Sequence, residues 1–202
     1  MLNRQELGPS ISDRDLIART AEGDRRAFEL IIERHAAAVL RLATAASDPS
    51  TAEDAMQQTF LSVYQHAASF RGDASVRTWV LTIARNTTHR LRGKTQREEP
   101  VEEPLMELGV DAGWGSEDPE AIAIAAERRG ALRRAIAMLS PEDQEVLILR
   151  DLEGLRGAEA AEVLGVGERA LKSRLHRARL RLAALLRGFE LDEDGAPEGG
   201  RS

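Results

Sequence analysis

The chain has 202 residues, of which 42% are apolar and 31% charged, and its formal net charge at pH 7 is −6. This composition is ordinary for a globular protein of one or two domains, and the absence of cysteine excludes disulfides, thiolate catalysis and cysteine-ligated zinc. No apolar run reaches the roughly 18 residues of a membrane span, and the N-terminus lacks the apolar segment of a signal peptide. We therefore expect a cytoplasmic protein without membrane insertion.

The charges are arranged in blocks. Residues 71–97 and residues 165–187 each carry seven lysines or arginines against one acid. Residues 98–120 carry nine acids and no base, and the residues from 188 onward are also acidic. Two basic modules therefore flank an acidic connector, an arrangement that the net negative charge of the whole chain does not reveal.

Helical periodicity and helix caps recur along the chain, whereas alternating β-type runs do not, and this predicts an all-α protein. The first helix is expected to begin at Ser12 and to end at the turn of residues 23–24. A longer second helix ends before the break at residues 48–50. Ser50 and Glu53 have the spacing of a capping box, which predicts the start of the third helix.

A fourth helix is expected over residues 76–91, after a glycine-containing loop at residues 70–75. Opposite its apolar face lies a basic stripe, which we expect to face outward: Arg85, His89 and Arg92. This stripe could grip a DNA backbone while the loop accommodates a displaced base, and a solvated face on a small bundle explains it equally well. Trp79 is expected in the core rather than as a platform for base stacking.

The connector at residues 94–119 is rich in acids, proline and glycine, a composition that cannot bury a core and therefore predicts a flexible linker. A second domain is expected over residues 120–187. Within it, Ser140 followed by proline signals a helix start, and Gly154 signals a helix end. Residues 188–202 are expected to form a disordered acidic tail.

Residues 157–182 have the pattern of a helix-turn-helix. Ala161 is small where the two helices would cross, Gly165 suits the turn, and Leu171 would anchor the second helix. Basic side chains lie opposite the apolar face of that helix. A solvated amphipathic helix is the competing interpretation, but the turn and the basic face coincide, which favours DNA binding.

Three segments, in order, carry a family resemblance: AEDAMQQTFLSVY from residue 52, FRGDASVRTWVLTIARNTTHRLR from residue 70, and LSPEDQEVLILRDLEGLRGAEAAEVLGVGERALKSRLHRAR from residue 139. They resemble the extracytoplasmic-function (ECF) group of bacterial sigma factors. The resemblance implies a two-domain initiation factor that binds core RNA polymerase, recognises the −35 and −10 promoter elements and helps to open the duplex. It also implies an anti-sigma factor as a further partner and a monomer when the protein is free.

The same resemblance assigns roles to domains and residues. Residues 10–93 would bind the polymerase clamp and the −10 element, and residues 120–187 the −35 element. The −35 contacts implied are Arg169, Lys172, Ser173, Arg174, His176, Arg177 and Arg179. The −10 contacts implied are Phe70, Arg71, Gly72, Asp73, Arg85, Asn86, His89 and Arg92. The polymerase contacts implied are Glu53, Asp54, Gln57, Gln58 and Phe60, although a core position is the better interpretation of Phe60.

The acidic connector keeps three interpretations. By the resemblance it would thread into basic channels of the polymerase; by composition it is equally a charged tether. It could also fold back on the basic helices when polymerase is absent.

The alternative function is a helix-turn-helix transcriptional regulator with an N-terminal sensing or dimerisation domain. The basic loop and helix of the first domain separate the two functions, because a sensor domain has no need of them. The sequence does not support a catalytic function, since the chain has no GxxxxGK[ST] phosphate loop, no HExxH and no cysteine nucleophile. The histidines lack ligand spacing, so no catalytic residue, cofactor or metal site is expected.

Overall fold

The computed structural model describes residues 11–95 and 119–194, and every regular element within these residues is helical, which confirms the all-α prediction. The first module comprises α1 (Asp13–Ala21), α2 (Arg25–Thr44), α3 (Pro49–His66) and α4 (Val76–Thr95), with a 3-10 turn at Ala67–Ser69. The second comprises α5 (Pro119–Ala137), α6 (Pro141–Leu147), α7 (Gly157–Leu164) and α8 (Glu168–Asp194), and a π-helical turn at Ile148–Leu152 continues α6. Of the helices in these residues, none is both long enough and apolar enough to cross a bilayer.

Most predicted helix boundaries of the described residues are found. Ser12 caps α1 and Ser140 caps α6, each by accepting a backbone hydrogen bond. Gly23 and Gly154, which follow helices, both have positive φ. Caps of this kind each stabilise a helix by about 1 kcal/mol.

The start of α3 differs from the prediction. Asp48, rather than Ser50, is the cap, because its side chain accepts the backbone N–H of Thr51 at 2.9 Å. Pro49 takes the first helical position, where its missing N–H costs nothing. The predicted capping box of Ser50 and Glu53 is therefore wrong, since both residues already lie inside the helix.

Each module contributes fully buried apolar side chains to the core, and full burial of one such side chain stabilises the fold by about 1.5–3 kcal/mol. The following side chains are 1% exposed or less: Leu16, Ile31, Leu42, Val63 and Val80 in the first module, and Ile148, Leu149, Val163, Leu171 and Ala178 in the second.

The two modules also pack against each other. Helix α4 contacts α7, and α2 contacts the π-helical turn. Buried apolar residues of both modules form one continuous cluster. The predicted linker at residues 94–119 lies outside the described residues except at its ends, where α4 continues to Thr95 and α5 begins at Pro119.

Helix α8 continues beyond residue 187, the expected end of the second domain, as far as Asp194. Leu182 and Leu185 pack against the core, and the guanidinium of Arg134 on α5 lies 5.4 Å from the ring centroid of Phe189. These contacts explain why residues 188–194, expected to be disordered, are helical. Residues 195–202 of the expected tail lie outside the described residues.

Candidate nucleic-acid interface

The second module contains the predicted helix-turn-helix. Helix α7 ends at Leu164, and Gly165 then adopts the left-handed conformation with φ of 64°, which residues with a Cβ rarely enter. Ala161 is 4% exposed, and Leu171 on α8 is 1% exposed. Because the apolar face of α8 is held by its own module, the opposite face points away from it.

The outward face of α8 is basic and accessible. Its exposed members are Arg169, Lys172, Ser173, His176 and Arg177, whereas Arg174 is half-buried. Within residues 11–95 and 119–194, no salt bridge engages Arg169, Lys172 or Arg177. Unpaired cations on one exposed helix face suit contacts with phosphates and base edges.

Arg179, also implied at the −35 element, is engaged inside its own module. Its Nε and Nη2 donate to the two carboxylate oxygens of Asp151 at 3.1 and 2.5 Å, and this hydrogen bonding raises the pKa of Arg179. Arg179 is therefore not part of the free cationic face. The pairing joins residues 28 apart in sequence, so helical spacing on α8 could not reveal it.

The loop at residues 70–75 forms one wall of a cavity of about 310 Å³, whose other walls come from α1 and the start of α4. Gly72 has φ of 79°, and a Cβ built on it would lie 2.6 Å from Nη2 of Arg14, which closes over the glycine. Phe70 packs on Trp79 with ring centroids 5.1 Å apart, and Trp79 is half-buried. Arg71 and Asp73 are exposed, so the loop presents polar groups beside the cavity.

The basic stripe of α4 was predicted to face solvent, but two of its residues contact the second module instead. Arg85 donates from Nε to a carboxylate oxygen of Glu145 at 3.1 Å, and Nε2 of His89 lies 2.5 Å from the other oxygen. Glu145 belongs to α6 and is 1% exposed. The outward orientation is wrong for these two residues because the second module supplies a buried carboxylate. Asn86 is exposed and Arg92 half-buried.

A second buried carboxylate, Glu153, meets the first module nearby. Its Oε1 lies 2.7 Å from Nη2 of Arg41, its other oxygen pairs with Arg77, and Glu153 is 5% exposed. The π-helical turn positions it, since the N–H of Glu153 donates to the carbonyl of Ile148 at 2.8 Å. Sequence reasoning missed these residues. One sequence feature could have pointed to the two acids, since Glu145 and Glu153 lie within an otherwise largely apolar segment.

The environment of Glu145 keeps it ionised at neutral pH. Burial raises the pKa of Glu145, but the hydrogen bond from His89 and the charge of Arg85 lower it by more. The pKa therefore lies below the ordinary value of 4.5. A buried carboxylate held charged by cations of the other module is an electrostatic link between the modules.

Helix α3 carries the residues implied in polymerase binding. Glu53, Asp54 and Gln57 are exposed, and Gln58 is half-buried and accepts a hydrogen bond from Nη2 of Arg90 at 2.8 Å. Phe60 is 6% exposed and belongs to the core, which matches the core interpretation and removes it from the surface.

Two exposed apolar residues on α3 were missed. Leu61 is 55% exposed and Tyr64 is 42% exposed. With Asp54 and Gln57 they follow offsets of three and four, so the four side chains share one helix face. That offset pattern was present in the sequence, and a mixed apolar and polar face of this kind suits a protein partner.

Comparisons with known families match both modules. Residues 31–98 match sigma-70 region 2, and residues 129–182 match sigma-70, region 4. The loop and α4 fall in the first match, and the helix-turn-helix falls in the second.

Curated relatives align along most of the chain. The chain is 37% identical over 177 residues to the ECF RNA polymerase sigma factor SigM of Mycobacterium tuberculosis (strain H37Rv), covering 87% of this chain and 85% of that protein. It is 31% identical over 185 residues to the RNA polymerase sigma factor CnrH of Cupriavidus metallidurans, covering 89% of this chain and 97% of that protein.

Solved structures show a similar architecture. CnrH in complex with the cytosolic domain of CnrY has a TM-score of 0.60 and 27% identity, with 87% of this chain and 97% of that chain covered. The sigma factor RpoE in complex with the anti-sigma factor NepR from Bartonella quintana has a TM-score of 0.63 and 27% identity, with 79% and 96% covered.

Proposed function

The chain belongs to the extracytoplasmic-function group of bacterial RNA polymerase sigma factors, and from this premise we propose how its surfaces share the work of initiation. As a member it binds core RNA polymerase and directs promoter-specific transcription initiation through the −35 and −10 elements. The observation that carries this function is the ordered pair of matched regions along one chain. A regulator with a sensing or dimerisation domain does not account for the region 2 match.

The second domain reads the −35 element through α8. Arg169, Lys172, Ser173, His176 and Arg177 are exposed on one face, so they can enter the major groove while the apolar face stays on its module. Arg174 lies at the edge of this face. Arg179 acts in this proposal by holding α8 to Asp151 rather than by touching DNA.

The first domain handles the −10 element through the loop and α4. The cavity beside Gly72 is open to solvent and offers a cleft for an unstacked base, and Phe70 offers an aromatic face next to it. Arg71, Asp73 and Asn86 are exposed at the loop and on α4. Arg85, His89 and Arg92 complete the surface by holding the strand backbone.

Helix α3 docks on core polymerase. The contact comprises Glu53, Asp54, Gln57 and Gln58, together with the exposed Leu61 and Tyr64, which add apolar area to a polar face. The protein supplies recognition and contributes no catalytic group, and it works in the cytoplasm with the polymerase.

An anti-sigma factor is a further proposed partner. The two solved relatives described above were captured with a second protein, the cytosolic domain of CnrY in one case and the anti-sigma factor NepR in the other. A partner of this class would restrain the protein until a signal releases it.

Run-off transcription tests the function. Purified core polymerase is given a set of promoter fragments from the same genome, with and without the protein. The expected result is a set of discrete transcripts that require the protein. Tight binding to DNA without polymerase, together with transcripts that do not depend on the protein, would instead support the regulator.

A further inference from the structure

Two acids of the second module are buried on cations of the first. Glu145 is 1% exposed and lies against Arg85 and His89 of α4, at 3.1 and 2.5 Å. Glu153 is 5% exposed and lies against Arg41 of α2, at 2.7 Å, and against Arg77 of α4. Each carboxylate therefore uses both oxygens on two basic side chains of the other module, two arginines for Glu153 and an arginine and a histidine for Glu145.

Packing within the second module does not by itself explain why either acid is buried. The neighbours of Glu145 on α6, Val146 and Leu147, are core residues that are 0% and 3% exposed. A charge beside such residues is costly to bury unless it is paired. Both carboxylates meet cations across the contact of the two modules, so their burial depends on the modules being packed together. We call this packed state the closed arrangement.

The cations concerned overlap the proposed strand-binding surface. Arg85 and His89 are −10 contacts by resemblance, and Arg77 both lines the cavity beside the loop and pairs with Glu153. Carboxylate and phosphate oxygens are interchangeable ligands of arginine in charge and in forked hydrogen-bond geometry. The nitrogens that hold the carboxylates, Nε of Arg85 and Nη2 of Arg77, cannot at the same time donate to a phosphate.

We propose that Glu145 and Glu153 are internal phosphate mimics, which occupy a strand-binding site of Arg41, Arg77, Arg85 and His89 until the modules separate and promoter DNA takes their place. The proposal rests on the proposed function and extends it, because Arg41 and Arg77 join the strand-binding residues. It also gives an order of events. The faces of α3 and α8 are exposed in the closed arrangement, so polymerase docking can precede strand capture.

Single-molecule energy transfer on the free full-length protein tests the closure. The chain contains no cysteine, so Gln65→Cys on α3 and Ala170→Cys on α8, both exposed, provide two unique labelling sites. Wild type is expected in one high-transfer population. Glu145→Gln with Glu153→Gln should shift molecules to a low-transfer population. The control, Glu142→Gln with Glu162→Gln, removes two exposed acids of the same module and should leave the transfer unchanged.

Binding of a fluorescent single-stranded oligothymidylate, without polymerase, tests the mimicry. Glu145→Gln with Glu153→Gln should bind it about three- to tenfold more tightly than the control, because a larger fraction of molecules has the site free. Arg41→Gln with Arg77→Gln should open the modules equally but bind no more tightly than wild type, because it removes half of the site. Its matched control is Arg25→Gln with Arg26→Gln, at exposed positions of α2.

Two results would overturn the proposal. One is unchanged energy transfer in the glutamine variant of the acids. The other is opening of Glu145→Gln with Glu153→Gln without tighter oligonucleotide binding than its control, which would make the cluster a packing contact only. Failure of the sigma function is separate, since it would appear as wild-type protein that supports no run-off transcription.

Discussion

Single residues at the junction of the modules carry charges that are costly in isolation. Glu145 and Glu153 are buried, yet each is paired with two basic side chains, at least one of them an arginine. Breaking a buried pair by removing one partner costs about 3–5 kcal/mol, because the other charge is left without compensation. The cluster therefore makes closure sensitive to one substitution or to protonation of one carboxylate.

Acidification should weaken the protein through Glu145. Its folded-state pKa lies below the ordinary 4.5, so its stabilising contribution is complete above that value and is lost as the pH falls through the lower folded value. Below pH 4.5, the free energy of unfolding of wild type should fall more steeply than that of Glu145→Gln. Urea titrations at stepped pH measure this, and Glu142→Gln should keep the wild-type slope. Parallel curves for wild type and Glu145→Gln would contradict the prediction.

Gly72→Ala should be destabilising. Its φ of 79° disfavours a Cβ by about 1 kcal/mol, whereas Nη2 of Arg14, 2.6 Å from the new atom, is the end of a flexible side chain that can move aside. Gly93→Ala is the control, because Gly93 lies in α4 with no atom within 4 Å of an added Cβ, and it should gain about 0.5 kcal/mol. Thermal denaturation compares the two. Equal stability of both variants would mean that the loop tolerates a side chain.

Individual helices differ in how well the sequence predicted them. The apolar face of α8, the turn at Gly165 and the cap at Ser140 follow from local spacing and turn chemistry, and all are found. The cap of α3 was misplaced because the capping-box spacing of Ser50 and Glu53 was preferred to Asp48 followed by Pro49, the same kind of signal that located the start of α6. Partners distant in sequence, such as Glu145 for Arg85, could not be predicted because they depend on how the modules pack.

The exposed face of α8 should contribute to DNA affinity without contributing to folding. Lys172→Ala with Arg177→Ala should weaken binding of the polymerase-bound protein to duplex promoter DNA at least about tenfold, since a base contact contributes about 1–3 kcal/mol. The control, Arg25→Ala with Arg26→Ala, removes the same charge from exposed positions of α2. Electrophoretic mobility shifts measure both. Equal losses would indicate a general charge effect.

The exposed face of α3 should contribute to polymerase affinity. Leu61→Glu places a charge on a side chain that is 55% exposed, so it should leave the fold intact and reduce binding to core polymerase. Leu40→Glu, at a site on α2 that is 37% exposed, serves as the comparison. A fluorescence titration with core polymerase distinguishes them, and unchanged affinity for Leu61→Glu would place the docking surface elsewhere.

At the scale of the whole molecule, the protein recognises promoter DNA through two separate surfaces, one on each module. The basic face of α8 is exposed, whereas Arg77, Arg85 and His89 of α4 are held by acids of the other module. In the closed arrangement, only the basic face of α8 is accessible to DNA. When the modules separate on polymerase, the strand-binding residues of the first module become accessible as well. Specificity then depends on two short elements at a fixed separation, rather than on the paired half-sites of a dimeric regulator.

Transcription from a randomised promoter library by core polymerase with the protein tests this account most directly. Sequencing of the transcribed templates should show two motifs at one fixed spacing, of which Lys172→Ala with Arg177→Ala erases the upstream motif and leaves the downstream one. A palindromic motif, or the same templates transcribed by core polymerase alone, would contradict the account.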